Sequence, residues 1–179
     1  QAIVPLQQPV SAVSYEILLR LRNAEGELLS PGFFLPTAER YQLMVDIDIH
    51  VFWRYMKTVT AQPDHLQRLA FVNINLAGAT LNNPLFHAKV HKAIETFDFP
   101  WNKLVLEVTE TSAVGNLAKA ADFIAYCRSK GIRVALDDFG TGMASFEYLK
   151  HLPLDVVKID GSFIRDMLDD PVDHAMVSY

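Results

Sequence analysis

Ile132-Arg-Val-Ala-Leu-Asp-Asp-Phe-Gly-Thr-Gly142 reads as a buried strand that runs directly into two adjacent carboxylates and a glycine-flanked turn. Strand side chains alternate, so Ile132, Val134 and Leu136 share one face and Arg133, Ala135 and Asp137 the other. Asp137 and Asp138 cannot both enter one site from a regular strand, so the strand is expected to end there, loosened by Gly140 and Gly142. Two carboxylates converging at the carboxyl end of a strand suit a hard cation. The same letters also spell a solvated turn that caps the next helix. Repetition decides between these readings, because apolar strands ending in polar or charged residues recur along the chain.

Leu69-Ala-Phe-Val-Asn-Ile-Asn75 is such a strand, with Asn73 and Asn75 on the face of Phe71. Asparagine disfavours strand interiors, so two of them at a strand end call for a turn or a site. Lys103 to Val108 carries Glu107 at its end and Glu110 just beyond, and Leu154 to Asp160 places Val156, Lys158 and Asp160 on one face. At the amino end, Gln1 to Leu6 and Ser11 to Leu21 read as two strands that pair as a hairpin around a turn at Gln7 to Pro9. Glu16, Leu18 and Arg20 then share a face, and the apolar neighbours of Glu16 imply a strand covered on both sides. A covered Glu16 needs a partner.

Helices fill the intervals. A short one is expected at Thr37 to Tyr41 and a long one at Met44 to Val59, with a core stripe of Met44, Ile47, Val51, Tyr55 and Val59 widened by Phe52 and Met56. Pro84 opens another, burying Phe86, Val90 and Ile94. Asn116 to Ser129 buries Leu117, Ala121 and Ile124 and stops at Gly131. Short helices follow near Phe146 to Leu149 and at Phe163 to Leu168. His50 and His65 lack metal-pair spacing and read as surface residues, while the single cysteine, Cys127, reads as core.

From Leu69 onward strands and helices alternate with connections too long for hairpins, which requires parallel strands with helical crossovers. Polar residues at many strand ends favour a barrel over an open sheet, since a barrel gathers those ends on one face. No glycine-rich dinucleotide fingerprint and no phosphate loop ending in Gly-Lys-Ser/Thr is present. The 179 residues, 50% hydrophobic and 21% charged, suit a single domain with a substantial core. The net charge of −5 argues against DNA or RNA as a partner. One cysteine excludes an internal disulfide framework and fits a reducing, cytoplasmic compartment. No apolar run is long enough to span a membrane, and the abrupt apolar start without Met reads as a piece of a longer protein, a reading that a membrane-bound parent also fits.

Glu16-Ile-Leu-Leu-Arg20, Phe33 to Glu39, Val72-Asn-Ile-Asn75, Leu106-Glu-Val-Thr-Glu110, Leu136 to Gly142 and Val157-Lys-Ile-Asp160 together resemble the EAL-domain family of cyclic di-GMP phosphodiesterases. The likeness covers nearly the whole chain, with Glu16-Ile17-Leu18 standing for the name motif. It implies an α/β fold: a modified TIM-like (β/α)8 barrel with an antiparallel first strand, here incomplete at the carboxyl end, with about six of eight strands in one domain over residues 1–179. It also implies metal ligation by Glu16, Asn73 (with Asn75 the alternative), Glu107 and Asp137, joined by Asp138 for a second cation. Lys158 would contact the attacking water or the scissile phosphate. Arg20, Asp160 and Gln1 would meet the ligand, and Glu110 would hold the loop from Asp137 to Gly142. An oxygen-only ligand set selects Mg²⁺ or Mn²⁺ over zinc or copper.

Two departures matter. Met143 stands where the family more often has an aromatic residue, and the family's general-base glutamate belongs to a later strand, beyond Tyr179. The first reading is therefore metal-dependent hydrolysis of cyclic di-GMP to linear pGpG in bacterial signalling, with these residues alone expected to be inactive. The alternative is a cyclic di-GMP receptor without turnover. Retention of every visible ligand favours the enzyme. A barrel enzyme using Lys158 as a Schiff base is a third reading. The resemblance further implies fusion to sensory or GGDEF-type domains, and open sheet edges offer a route to a homodimer.

Overall fold

The computed structural model describes residues 1–5, 12–109, 117–140 and 152–178. The expected turn at Gln7 to Pro9, the burial of Leu117, the helix near Phe146 to Leu149, and the residues Glu110, Gly142 and Met143 lie outside them. A six-stranded sheet in the order β1-β2-β5-β6-β7-β8 forms a half-barrel with helices packed on one face. Its strands are β1 (Ala2–Ile3), β2 (Val13–Ile17), β5 (Leu69–Leu76), β6 (Leu104–Thr109), β7 (Arg133–Phe139) and β8 (Val156–Ile159). β1 runs antiparallel to β2, and every later pair is parallel, as the hairpin and crossover pattern required.

The alternation read in the sequence sorts the two faces. Ile74, Leu106, Val134 and Leu136 are buried against the helices, whereas Asn73, Glu107 and Asp137 occupy the opposite face. The helix layer comprises α2 (Met44–Thr60), α5 (Pro84–Thr96) and α6 (Leu117–Ser129). They contribute Phe52 and Met56, then Phe86 and Val90, then Phe123, Ile124 and Cys127 to one continuous core. Burial of each large apolar side chain contributes about 1.5–3 kcal/mol, so this layer supplies the main driving force for folding. The α6 helix ends at Gly131, whose φ of +86° is the left-handed conformation expected of a helix-stopping glycine.

Several boundaries differ from expectation. β2 stops at Ile17, and Leu21–Arg22 (β3) instead pairs with Leu28–Leu29 (β4) in a separate ribbon. Asn23 holds that turn, accepting the amide of Glu27 at 2.7 Å and donating its own to the Glu27 carbonyl. The first helix, α1, spans Pro31–Arg40. It starts where proline is tolerated, and Pro36 deprives only the exposed Gly32 carbonyl of an intrahelical donor. His65, on α3 (Pro63–Arg68), is half-buried rather than a surface residue, with Nε2 2.7 Å from the Tyr15 hydroxyl. A final helix, α8 (Pro171–Ser178), follows α7 (Gly161–Asp166). Asp170 accepts the amide of Val172 at its start, a cap-then-proline signal present in the sequence.

The α2 stripe also turns out differently: Asp48, Phe52, Met56 and Val59 are buried, while Val51 and Tyr55 are only half-buried. The carboxylate on this apolar face is satisfied by the Ala77 amide (2.8 Å) and the Thr80 hydroxyl (2.6 Å), so α2 caps α4 (Gly78–Leu81) directly after β5. Burial outweighs these two bonds and pushes the Asp48 carboxyl up to about 6. A raised folded-state pKa means that stability is fully present below the unfolded value near 3.9 and is lost as the pH rises through about 6. Asp48→Asn, which cannot ionise, should therefore gain on the parent protein by up to about 3 kcal/mol between pH 4 and pH 7. Denaturant melts of both proteins across that range check this, and parallel pH profiles would count against it.

Candidate functional site at the carboxyl ends of the strands

Parallel pairing lines up the polar strand ends. Glu16 is level with Asn73, Asn75 with Glu107, and Thr109 with Asp137, so the site climbs along successive strands as a staggered barrel sheet dictates. Below it on β5 and β7, the Arg133 guanidinium lies over the Phe71 ring at 5.3 Å.

Glu107 is the centre of the arrangement, with 1% of its surface exposed. Its Oε1 accepts from Asn73 Nδ2 at 2.5 Å and lies 2.9 Å from Lys158 Nζ. The same ammonium stands 3.0 Å from Asp137 Oδ1, so one lysine of β8 bridges carboxylates of β6 and β7. Burial pushes the Glu107 carboxyl above its ordinary range despite the bonds from Lys158 and Asn73. Partial burial works to lower the Lys158 pKa, but the hydrogen bonds and charges of Glu107 and Asp137 outweigh it and the net direction is up.

Glu16 is half-buried rather than covered on both sides, and it does have a partner: Asn75 Nδ2 donates to its Oε1 at 2.6 Å. The two asparagines therefore divide their work. Asn73 bonds Glu107, and among the described residues its own Oδ1 is buried without a donor, as is Glu107 Oε2. Among the described residues no three carboxylates, histidines or cysteines converge on one point. The oxygens lacking donors nonetheless fit a hard cation, which is bound by carboxylate and amide oxygens and by no proton.

The two aspartates are presented by a different device from the one expected. β7 continues through Phe139, with a register shift against β8 between Leu136 and Phe139, and Asp138 itself takes φ +54°. The bend thus begins at Asp138, a residue type that tolerates the left-handed region, before Gly140 is reached. Burial, then the charges of Asp137 and Asp160, raise the Asp138 pKa against the lowering effect of Lys158. Gly140 follows at φ +98°, and a Cβ there would meet the Phe163 ring at 2.6 Å.

The remaining expected site residues are placed less centrally. Because β2 ends at Ile17, strand alternation no longer sets Arg20 beside Glu16. Its Nη1 donates to the Leu19 carbonyl at 2.7 Å, and it lines an apolar groove with Leu21, Leu29 and Phe33. Asp160 caps α7, accepting the Ser162 amide at 2.8 Å, and this bonding with Ser162 lowers its pKa. Gln1 exchanges backbone hydrogen bonds with Glu16, its main-chain nitrogen donating at 2.9 Å to the Glu16 carbonyl. Sequence reasoning missed Asp48, Phe163 and Asp155. Asp155 accepts from Arg128 of α6 and from the Val134 amide, each at 2.9 Å, fixing the loop that leads into β8.

A carboxylate pair and lysine at strand ends, with paired asparagines on the neighbouring strand, agrees with the family model named EAL domain, which matches residues 1–179. The chain belongs to the EAL-domain family. It is 36% identical over 167 residues to cyclic di-GMP phosphodiesterase PdeB of Shewanella oneidensis, covering 90% of this chain and 19% of that protein. It is 32% identical to cyclic di-GMP phosphodiesterase PdeF of Escherichia coli, covering 97% of this chain and 24% of that one. The chain thus spans a quarter or less of these relatives' length. Among solved structures, the FimX EAL domain from Pseudomonas aeruginosa bound to c-di-GMP superposes with a TM-score of 0.85 at 27% identity, covering 99% of this chain and 70% of that one. The PaMucR phosphodiesterase in complex with c-di-GMP gives 0.81 at 31% identity, covering 95% and 68%. Phosphodiesterases of this family depend on metal ions. Among the described residues no helix is long and apolar enough to cross a membrane.

The turn after the aspartates offers a test of how the site is positioned. Gly140→Ala should lose about 2–4 kcal/mol, combining left-handed strain with overpacking against Phe163. In a Phe163→Ala background the same substitution should cost only the strain, about 1–2 kcal/mol. Equal losses in both backgrounds, measured by denaturant unfolding, would show that the ring does not constrain this turn.

Proposed function

We propose that this domain hydrolyses one phosphodiester bond of cyclic di-GMP, giving linear pGpG, with Mg²⁺ or Mn²⁺ as its cofactor. The observation that carries the proposal is the convergence of Glu107, Asp137 and Lys158 at the strand ends, beside two buried oxygens without donors. Glu16, Asn73, Glu107 and Asp137 would hold the cation, with Asp138 joining for a second. Bound there, it supplies positive charge against the phosphodiester oxygens and acidifies a water.

The residues of the chain do the rest. The uncompensated Asn73 Oδ1 supports Asn73 as the ligand, and the Asn75 bond to Glu16 supports Asn75 as the residue that aims Glu16. Lys158, once clear of the two carboxylates, would donate to a phosphate oxygen, a contact that strengthens as charge develops. Arg20 and Gln1 flank the Glu16 strand and are proposed contacts for the ligand, Arg20 as a fork for phosphate. Asp160 is proposed beside them, although its α7 cap already engages one carboxylate oxygen. Glu110, proposed to hold the loop after Asp137, lies outside the described residues. A cytoplasmic setting, flanking sensory or GGDEF-type modules and self-association belong to the same proposal.

Titration calorimetry with Mg²⁺ or Mn²⁺ tests the ligand set. Asp137→Asn and Glu107→Gln should each weaken cation binding at least about tenfold, since removal of even an outer-sphere partner costs that much. Undiminished affinity in both variants would rule the set out. Chromatography after incubation of the full-length protein with cyclic di-GMP and metal then separates the readings, residues 1–179 by themselves being expected to leave it intact: pGpG marks the enzyme, and retained but intact cyclic di-GMP marks a receptor.

A further inference from the structure

We infer that Lys158 is the resident counter-ion of the Glu107 and Asp137 pair and competes with a divalent cation for it, so that cation loading and release of the lysine ammonium form one exchange. The inference rests on the cation reading proposed above and adds to it an order of events. Lys158 Nζ lies 2.9 Å from Glu107 Oε1 and 3.0 Å from Asp137 Oδ1, which places it between the two carboxylates that a cation would join. The Glu107 side chain has no exposed surface, so without some cation its charge would be buried and uncompensated. Lys158 supplies that charge.

A dication on Asn73 Oδ1, Glu107 Oε2 and Asp137 would stand beside an ammonium that already holds Glu107 Oε1 and Asp137 Oδ1, and the two repel at such short range. Lysine is suited to yield: its charge is a compact point on a flexible four-carbon stem, whereas the planar fork of an arginine would stay bound. The side chain retains 32% exposure, so the displaced ammonium has an open path towards the solvent side of the strand ends. There it becomes available to an anionic ligand. The cation thus does two things: it takes over neutralisation of the carboxylates, and it frees a lysine for phosphate.

The exchange has a signature that a merely structural lysine lacks. Titration calorimetry with Mg²⁺ or Mn²⁺ alone should show Lys158→Met binding the cation about tenfold more tightly than the parent, the middle of the range for charged groups in direct contact. Without metal the same variant should melt at a lower temperature than the parent and gain more from added cation. Lys158→Gln, which keeps a hydrogen-bond donor without the charge, provides the same comparison should the methionine variant fold poorly. On the parent itself, the Lys158 side-chain NMR signal should shift on addition of Mg²⁺, and an unmoved signal would contradict the exchange. Parent-like or weaker affinity in both Lys158 variants, with Asp137→Asn still losing affinity, would overturn the inference and leave the cation reading standing. Undiminished affinity in Asp137→Asn would instead remove the cation reading itself.

Discussion

A carboxylate with no exposed side-chain surface, that of Glu107 at the end of β6, is the constraint on which the site depends. An isolated buried charge is costly, so its neighbours must supply donors and opposite charge. Asn73 reaches it from β5 and Lys158 from β8, and Lys158 draws in Asp137 from β7. One unfavourable group thereby ties together the carboxyl ends of the four strands β5 to β8. The ties are worth having only while the sheet keeps its parallel register, because a slip of one residue would turn each of these side chains to the helix face.

The helix side of the sheet secures that register. Alternate residues of β5, β6 and β7 enter a close-packed apolar core, where a change of one methylene is felt. Two buried or partly buried aspartates then fix the loops that lead to or from the site. Asp48 anchors the chain as it leaves β5, and Asp155 ties the approach to β8 back to α6 and β7. Gly140, pressed against Phe163, takes the left-handed conformation directly after Phe139, next to the aspartate pair. The apolar face supplies stability, and the opposite face uses part of it to hold like charges close together.

The sheet and its chemistry were legible in the sequence because both rest on period-two alternation, which survives any detail of packing. Ile132, Val134 and Leu136 against Arg133 and Asp137 could be sorted without coordinates, as could the antiparallel first strand. What escaped depends on contacts between distant residues. The α2 stripe lies rotated from the expected one because Asp48, at helical spacing with Phe52 and Met56, is buried with them and satisfied by Ala77 and Thr80 of a later segment. Arg20 was set beside Glu16 by extending β2 past Ile17, where the Asn23 turn diverts the chain into a ribbon. Glycine was credited with a bend that begins at Asp138. The distinct tasks of Asn73 and Asn75, adjacent on one face, required knowing which carboxylate each one meets.

The most direct test of the account is to locate the cation without altering the site. Mn²⁺ added in small increments to isotopically labelled protein broadens the amide signals nearest to it. The signals of Asn73, Glu107, Asp137 and Lys158 should fade first. Selective broadening instead around Asp166, Asp169, Asp170 and Asp173, the acidic residues in and between the last two helices, would contradict the assignment of the cation site to the strand ends.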